Sequence, residues 1–148
     1  MRDSYNREIN YLRISVTDRC NLKCQYCMPE SGIECVREED FLSFDEIVRI
    51  VQQAVKLGIS RVKITGGEPL LRKDVAKLVG MLHGISGVEQ VTMTTNGILL
   101  DRHIDELISN GLNAVNISID SINPDRYRQV TRTGNLEDAL SGLRDEVE

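Results

Sequence analysis

The stretch Arg61-Val-Lys-Ile-Thr-Gly-Gly-Glu-Pro69 shows the pattern on which the fold prediction depends. Its first part alternates, with Val62 and Ile64 on one side and Lys63 and Thr65 on the other. Such alternation over a short segment predicts a β-strand whose two faces differ in polarity. The Gly-Gly-Glu-Pro turn that follows directly ends the strand and begins a loop.

Three further segments repeat this alternation, and helical patterns separate the four. The other predicted strands are residues 11–16, 90–94 and 114–119. Three predicted helices separate the strands: one begins at Ser43 and is ended by Gly58, one begins near Val75 and is ended by Gly84, and one begins near Ile104 and is ended by Gly111. A last helix is predicted over residues 135–148. Strands that alternate with amphipathic helices predict βαβ units and a parallel sheet.

All four strands have a polar face, and this feature narrows the choice of fold class. A parallel strand that is covered on both faces is apolar throughout, whereas these strands give the helices an apolar surface on one side only. The pattern predicts an α/β fold in which about four βα units form an open, partial (β/α) barrel of the TIM type around a polar cavity. The alternative is an antiparallel sheet with one solvated face, but the intervening helices favour parallel crossovers.

The composition and net charge of the chain limit the classes of partner that it can bind. The 148 residues, enough for one domain, include 18 basic and 23 acidic side chains, and the net charge of -5 argues against a nucleic-acid partner. No apolar run approaches the roughly 18 residues that span a bilayer, and the N-terminus lacks an apolar signal segment. We therefore expect a cytoplasmic protein without a membrane partner, in which cysteines are more often metal ligands than disulfides.

Three cysteines are close together in the loop after the first predicted strand. Cys20, Cys24 and Cys27 have C-x3-C-x2-C spacing, which lets three thiolates reach one metal centre. Structural zinc requires a fourth ligand, and Cys35, in an acidic stretch, does not suit that position. His83 and His103 lie on predicted helices away from the loop. The spacing favours an iron–sulfur cluster with one open iron over zinc, without deciding between them.

The motifs at the ends of the strands resemble those of the radical S-adenosylmethionine (SAM) superfamily. The string Arg13-Ile-Ser-Val-Thr-Asp-Arg-Cys-Asn-Leu-Lys-Cys-Gln-Tyr-Cys-Met-Pro-Glu30 is similar to that of the GTP 3',8-cyclases of molybdenum cofactor biosynthesis. Three later segments continue the resemblance in the same order: Ile64-Thr-Gly-Gly-Glu-Pro-Leu70, Thr94-Thr-Asn-Gly97 and Asn116-Ile-Ser-Ile-Asp120. The resemblance covers almost the whole chain.

This resemblance implies a role for each matching residue. It implies that Cys20, Cys24 and Cys27 hold one [4Fe–4S] cluster whose open iron binds the amino and carboxylate groups of SAM. The implied SAM contacts are Tyr26, Gly67 and Ser118, and the implied GTP contacts are Arg13, Lys63 and Thr94. The implied reaction begins with one electron from a donor protein, which cleaves SAM to methionine and a 5'-deoxyadenosyl radical. That radical takes the C3' hydrogen of GTP, and the new carbon radical attacks C8 of guanine.

Three departures from the family accompany the resemblance. Lys63 stands where the family usually has arginine, whose planar fork can hold phosphate at two points. The chain supplies four strands of a six-strand barrel, and it lacks the family's C-terminal domain with a second three-cysteine cluster. We therefore expect residues 1–148 to be the N-terminal portion of a radical SAM core, incomplete alone and dependent on a complementing C-terminal partner or on self-association. The alternatives are an inactive cluster- and SAM-binding module, a radical SAM enzyme with another substrate and a zinc-binding domain.

Overall fold

Four parallel strands, in the order β1-β2-β3-β4, form one sheet, and helices connect them. The computed structural model describes residues 2–144. The strands are β1 (Tyr11–Ser15), β2 (Arg61–Thr65), β3 (Gln90–Thr95) and β4 (Ala114–Ile117). The helices are α1 (Phe44–Lys56), α2 (Val75–His83), α3 (Ile104–Ser109), α4 (Pro124–Thr131) and α5 (Leu136–Arg144). Short 3-10 helices lie at Glu38–Asp40, Pro69–Leu71 and Leu100–Arg102.

The sheet confirms the predicted parallel arrangement, and the antiparallel alternative is wrong. Each strand pairs in parallel with the next, and the register places Lys63 beside Arg13 on one side and beside Thr92 on the other. Within residues 2–144 the sheet has four strands and does not close, so the barrel is partial. Three predicted strand ends differ slightly: β1 and β4 end earlier than predicted and β3 ends one residue later. The Val16 and Ser118 N–H groups still donate to the neighbouring strands beyond the ends of β1 and β4.

The apolar faces of the strands form the core, as the alternation predicts. Val62, Ile64, Val91 and Met93 are fully buried. They belong to one cluster with the apolar sides of the helices, including Ile47, Val51, Leu78, Val79, Leu82 and Leu107. The opposite face carries the polar side chains, which line the concave side of the sheet because helices cover only the other side.

The start of α1 shows how local sequence fixes a helix boundary. The Glu46 N–H donates to Ser43 Oγ at 3.3 Å, and the Ser43 N–H donates to Glu46 Oε2 at 2.8 Å. This reciprocal capping box satisfies backbone donors that the first helical turn leaves free. The predicted ends of α1 and α2 near Gly58 and Gly84 are also confirmed.

Helix α4 lies in a region where the spacing of apolar residues does not reveal a helix. Only Tyr127 and Val130 are apolar among its non-proline residues, so it has no continuous apolar stripe. Its start has a different signal, because the Arg126 N–H donates to the Asn123 side chain at 3.0 Å and Pro124 occupies the first turn. Helix α5 confirms part of the helix predicted over residues 135–148, and residues 145–148 lie outside the described residues.

Within residues 2–144, none of the helices combines the length and the apolar character that crossing a bilayer requires.

Candidate functional site

A cavity of about 320 Å³ lies where the carboxyl ends of the four strands meet. Its lining residues come from the loop after each strand, which is where parallel barrels place their functional groups. They are Arg13, Cys20, Leu22, Cys24, Tyr26, Cys27, Thr65, Gly66, Gly67, Thr94, Thr95, Asn96, Ser118 and Asp120.

Nearly all the residues singled out from the sequence line this cavity. The structure brings together the three cysteines and Tyr26, Gly67, Ser118, Arg13 and Thr94. Lys63 is the exception, because it lies deeper on the concave face, where its Nζ donates to Asn116 Oδ1 at 2.7 Å. Its ammonium group also lies 6.0 Å from the centre of the Tyr11 ring.

The three cysteine thiols differ in exposure. Cys24 is 9% exposed, Cys20 is half-buried and Cys27 is exposed. A tight turn separates the last two cysteines, because the Cys27 and Met28 N–H groups both donate to the Cys24 carbonyl at 3.0 Å. The three cysteines of one loop therefore line the same cavity at different degrees of burial.

The donor set fits an iron–sulfur cluster. Thiolates are the ligands that such clusters use, and each cysteine of a cluster binds its own iron. Within residues 2–144, no three Cys, His, Asp or Glu side chains lie close enough together to hold one metal ion. The three thiols lie around a shared cavity, which is the arrangement needed by a centre with several irons.

Burial makes two of these thiols weak acids. Desolvation raises the pKa of Cys20 and of Cys24, and negative charges nearby raise both further. Those charges include the other thiolates, Glu68 beside Cys20 and Asp120 beside Cys24. Loading a metal centre must therefore release protons from these thiols.

The two glycines of the Gly-Gly-Glu-Pro turn are required by contact with the chain just before Cys20. A Cβ on Gly66 would lie 2.6 Å from the Thr17 carbonyl oxygen, and one on Gly67 would lie 2.3 Å from that of Arg19. The Gly67 N–H donates to the Thr17 carbonyl at 2.7 Å. The backbone carbonyl of Gly67 is therefore the group available to a ligand. The lack of a side chain lets the turn after β2 pack closely against the loop after β1.

Glu68 joins the loops that follow β2 and β3. Its side chain is fully buried, and its Oε1 accepts hydrogen bonds from Thr95 Oγ1 at 2.7 Å and from the Leu70 N–H at 3.1 Å. Its Oε2 accepts from the Asn96 N–H at 2.8 Å. Burial raises the pKa of Glu68, and these donors oppose that rise. Asn96 Nδ2 donates in turn to Asn21 Oδ1 at 2.7 Å, which connects Glu68 to the cysteine loop.

Tyr26 connects the cysteine loop to the end of β4. Its hydroxyl donates to the Asp120 carboxylate, at 2.9 Å to Oδ2 and 3.1 Å to Oδ1. The ring is 67% exposed, so it remains accessible from the cavity mouth. Desolvation and the hydrogen bond to Asp120 raise the pKa of the Tyr26 hydroxyl above its ordinary value.

The C-terminal end of α4 holds the cysteine loop from the other side. The Lys23 N–H donates to the Thr131 carbonyl at 3.1 Å, and the Gln25 N–H donates to the Val130 carbonyl at 2.9 Å. Arg132 Nη1 donates to the Lys23 carbonyl at 3.1 Å and to the Met28 carbonyl at 2.8 Å. One guanidinium group thus links both ends of the segment that contains Cys24 and Cys27.

Arg132 keeps this position with an unfavourable backbone. Its φ is 62° and its ψ is -38°, a conformation that residues with a side chain rarely adopt. Such strain costs about 1–3 kcal/mol and persists only where surrounding contacts enforce it. The two carbonyl contacts of the guanidinium group supply that enforcement.

Several residues of the site were not assigned from the sequence. Glu68, Asn96 and Asp120 lie within three residues of the ends of β2, β3 and β4, and that placement was the available signal. Tyr127 and Arg132 had no comparable signal because the helix that positions them lacks an apolar stripe.

The chain matches the model of a known protein family over residues 14–147, described as "Radical SAM superfamily". It is 50% identical over 145 residues to a protein of Alkaliphilus oremlandii named GTP 3',8-cyclase, covering 98% of this chain and 45% of that protein. A protein of Petrotoga mobilis with the same name is 47% identical over 148 residues, covering 100% of this chain and 46% of that protein. The chain thus spans less than half the length of these relatives.

Solved structures share the fold at low sequence identity. Streptococcus suis SuiB bound to S-adenosylmethionine superposes with a TM-score of 0.73 at 21% identity, covering 90% of this chain and 30% of that one. Methylornithine synthase superposes with a TM-score of 0.70 at 17% identity, covering 90% of this chain and 40% of the other. These similarities support the partial barrel and carry no information about substrate.

The contact between the turn and the cysteine loop predicts that Gly67→Ala is destabilising. The added Cβ meets backbone rather than a flexible side chain, so we expect a loss of about 1–3 kcal/mol in the free energy of unfolding, measured by urea denaturation. Gly84→Ala is the matched control, because its Cβ would meet nothing closer than 3.4 Å. Equal stabilities of the two variants would contradict the close approach.

The Arg132 contacts predict a graded effect of two substitutions. Arg132→Ala removes both carbonyl contacts and keeps the backbone strain, whereas Arg132→Gly removes the contacts and also the strain. We expect both to increase hydrogen exchange of the Lys23 and Gln25 amides, and Arg132→Ala to unfold more easily by roughly 1 kcal/mol. Unchanged exchange in both variants would show that the guanidinium does not hold the loop.

The burial of the thiols predicts the order of their alkylation in the metal-free chain. Cys27 and Cys35 are exposed, whereas Cys24 is buried and its pKa is raised. We expect iodoacetamide at pH 7.5 to modify the exposed pair at least about tenfold faster, with the rate at Cys24 rising towards alkaline pH as thiolate forms. Peptide mass spectrometry measures each rate, and equal rates at all positions would contradict this burial.

Proposed function

Because the chain belongs to the radical SAM superfamily, we propose that Cys20, Cys24 and Cys27 hold a [4Fe–4S] cluster and that the chain binds SAM beside it. The observation that carries the proposal is the cavity into which the cysteine loop and the ends of all four strands converge. The chemistry of the donor set agrees with it, since three thiolates leave one iron of such a cluster without a protein ligand.

The SAM contacts proposed are Tyr26, Gly67 and Ser118. All three line the cavity with the cysteines. The Gly67 carbonyl can accept a hydrogen bond from an ammonium group, since its N–H already binds Thr17. Tyr26 offers an exposed ring whose orientation Asp120 holds. Ser118 is exposed at the end of β4, so its hydroxyl is free to face a ligand.

We further propose GTP as the substrate, in keeping with the name of the relatives at 50% and 47% identity. Arg13 and Thr94 line the cavity and offer a guanidinium donor and a hydroxyl group to a nucleotide. Lys63 lies deeper, where its bond to Asn116 at 2.7 Å must be exchanged if it is to bind phosphate. A lysine would bind phosphate there as a point charge, whereas the planar guanidinium group of an arginine could hold phosphate at two points.

The residues of the chain position and enclose the reactants. When bound, the cluster supplies the single electron that cleaves SAM and starts the radical reaction. Arg13 and Lys63 provide positive charge on the concave face for an anionic substrate. Glu68 fixes two of the loops at the rim, and Arg132 fixes the third, so the reacting groups are held in a constant geometry.

Cyclisation of GTP is proposed for the chain together with a complementing half, in keeping with its coverage of 45% of its relatives. We propose that residues 1–148 are the N-terminal portion of a radical SAM core, completed by a C-terminal partner or by self-association. The open edge of β4 offers the backbone groups on which another strand can pair. A second candidate is a module that binds cluster and SAM without turnover, which the same cavity would also support.

Anaerobic reconstitution with iron and sulfide tests the proposal. We expect the chain to bind iron and sulfide, to show a reducible cluster signal by electron paramagnetic resonance, and to change that signal on adding SAM. Cys24→Ser should lower bound iron and 5'-deoxyadenosine release at least about tenfold. Cys35→Ser is the matched control and should leave both unchanged, because Cys35 lies outside the cavity.

The other readings give different results in the same assay. Bound zinc without iron would contradict the proposal and support a zinc domain. A SAM-sensitive cluster without 5'-deoxyadenosine would support the binding module. Release of 5'-deoxyadenosine that GTP does not alter, even after adding the missing half of a relative, would contradict GTP as the substrate.

A further inference from the structure

The side chain of Asn96 is held in one orientation just after β3. Asn96 is 9% exposed, and its backbone N–H donates to the buried Glu68 carboxylate at 2.8 Å. Its Oδ1 accepts a hydrogen bond from the Ile98 N–H at 3.1 Å. Because a backbone N–H needs an acceptor, this contact fixes which branch of the amide is the oxygen. The NH2 group therefore lies on the other branch of the side chain.

The NH2 group of Asn96 faces the cysteine loop. Its Nδ2 donates to Asn21 Oδ1 at 2.7 Å, and it also lies 4.0 Å from Cys20 Sγ with the geometry of a weak hydrogen bond. An amide nitrogen carries two N–H groups, so the bond to Asn21 leaves the second one for the sulfur. Asn96 and Cys20 both line the cavity, which places this contact inside the candidate site.

The Cys20 sulfur receives donors from two different loops. The Leu22 N–H donates to Cys20 Sγ at 3.4 Å, and this bond belongs to the backbone of the cysteine loop itself. Asn96 belongs to the loop after β3, and its donor is a side chain that one substitution removes. The contribution of the second loop to the sulfur can therefore be tested without altering the first.

We propose that Asn96 is a positioning residue whose side-chain amide donates a hydrogen bond to the Cys20 sulfur when that sulfur is a ligand of the cluster. A thiol is a weak acceptor, in agreement with a distance of 4.0 Å, whereas a thiolate bound to metal carries charge and forms shorter and stronger hydrogen bonds. This inference rests on the proposed function, because it requires a cluster on Cys20.

The expected consequence is a change in the reduction potential of the cluster. Reduction adds negative charge, and a donor to a ligand sulfur stabilises the reduced form more than the oxidised form. Without the Asn96 donor, the midpoint potential should therefore become more negative. At a fixed potential, we expect the ratio of reduced to oxidised cluster to fall about three- to tenfold, the effect of one net hydrogen bond. This change corresponds to about 30–60 mV for a one-electron couple.

Asn96→Ser tests this inference, with Asn110→Ser as the matched control. The serine hydroxyl can still accept from the Ile98 N–H, but it has no amide group that reaches Cys20. Asn110 precedes β4, at the end of the strands opposite the cavity, where its Nδ2 donates to the Glu106 carbonyl at 2.8 Å. The same chemical change there should leave the potential unaltered. The measurement is a dithionite redox titration of the reconstituted full chain, followed by electron paramagnetic resonance.

A second variant, Asn21→Ala, separates the donor to sulfur from the connection between the loops. Both Asn96→Ser and Asn21→Ala remove the hydrogen bond between Asn96 and Asn21, but only Asn96→Ser removes the donor to Cys20. We expect both variants to lower the melting temperature of the metal-free protein by a similar amount, and Asn96→Ser alone to shift the midpoint. Asn96→Thr, whose methyl group fills more of the space, replaces Asn96→Ser if the latter does not fold and should give the same shift.

Each result decides a separate point. Equal midpoints for Asn96→Ser and the unaltered chain would overturn the inference and leave the proposed function intact. An equal shift in Asn21→Ala would also overturn it, because the connection between the loops would then set the potential. A shift in Asn110→Ser as large as that in Asn96→Ser would have the same consequence. Failure of the unaltered chain to bind iron would refute the proposed function itself.

Discussion

A parallel strand with one apolar face and one polar face can be covered by helices on one side only. This constraint determines most of the structure. The apolar side chains such as Val62 and Met93 are fully buried against helices, and the polar side chains must then line a concave surface. A concave polar surface at the carboxyl ends of parallel strands collects the loops that follow them, and the first of those loops supplies the cysteines.

The loops at this rim are held by polar contacts, since little apolar surface is available there. Glu68 accepts hydrogen bonds from the loops after β2 and β3, and Asn96 extends the connection to the loop after β1. Arg132 donates to that same loop from the opposite side. A buried carboxylate and a strained arginine are costly to maintain, so these two residues mark where precise loop geometry matters more than stability.

The parts that could be predicted from the sequence are those governed by a repeated pattern. The alternation in residues 61–65 predicted the β2 bounds and the polar face, and the Ser43–Glu46 pair predicted the start of α1. Helix α4 could not be predicted from apolar spacing, because it is held by hydrogen bonds to the cysteine loop rather than by an apolar stripe. The distance of Lys63 from the rim of the sheet could not be predicted from the sequence either, because its hydrogen bond to Asn116 crosses from β2 to β4 over β3. Sequence spacing identifies which face a residue occupies but not how far it lies from the rim.

The charges at the cavity suggest what kind of occupant it accepts. Among the described residues that line it, Arg13 is the one cation, whereas Asp120 and up to three thiolates are anionic. Burial and nearby negative charges raise the pKa of Cys20 and of Cys24, so positive charge that enters with a metal centre would favour ionisation of these two thiols. The cluster and the SAM proposed for this site would bring such charge, the cluster through its iron ions and SAM through its sulfonium group. The substrate proposed above is anionic, and the two basic side chains that would balance its charge, Arg13 and Lys63, lie side by side in the strand register. These charges favour a cationic cofactor beside the thiols and Asp120 and an anionic substrate beside Arg13 and Lys63.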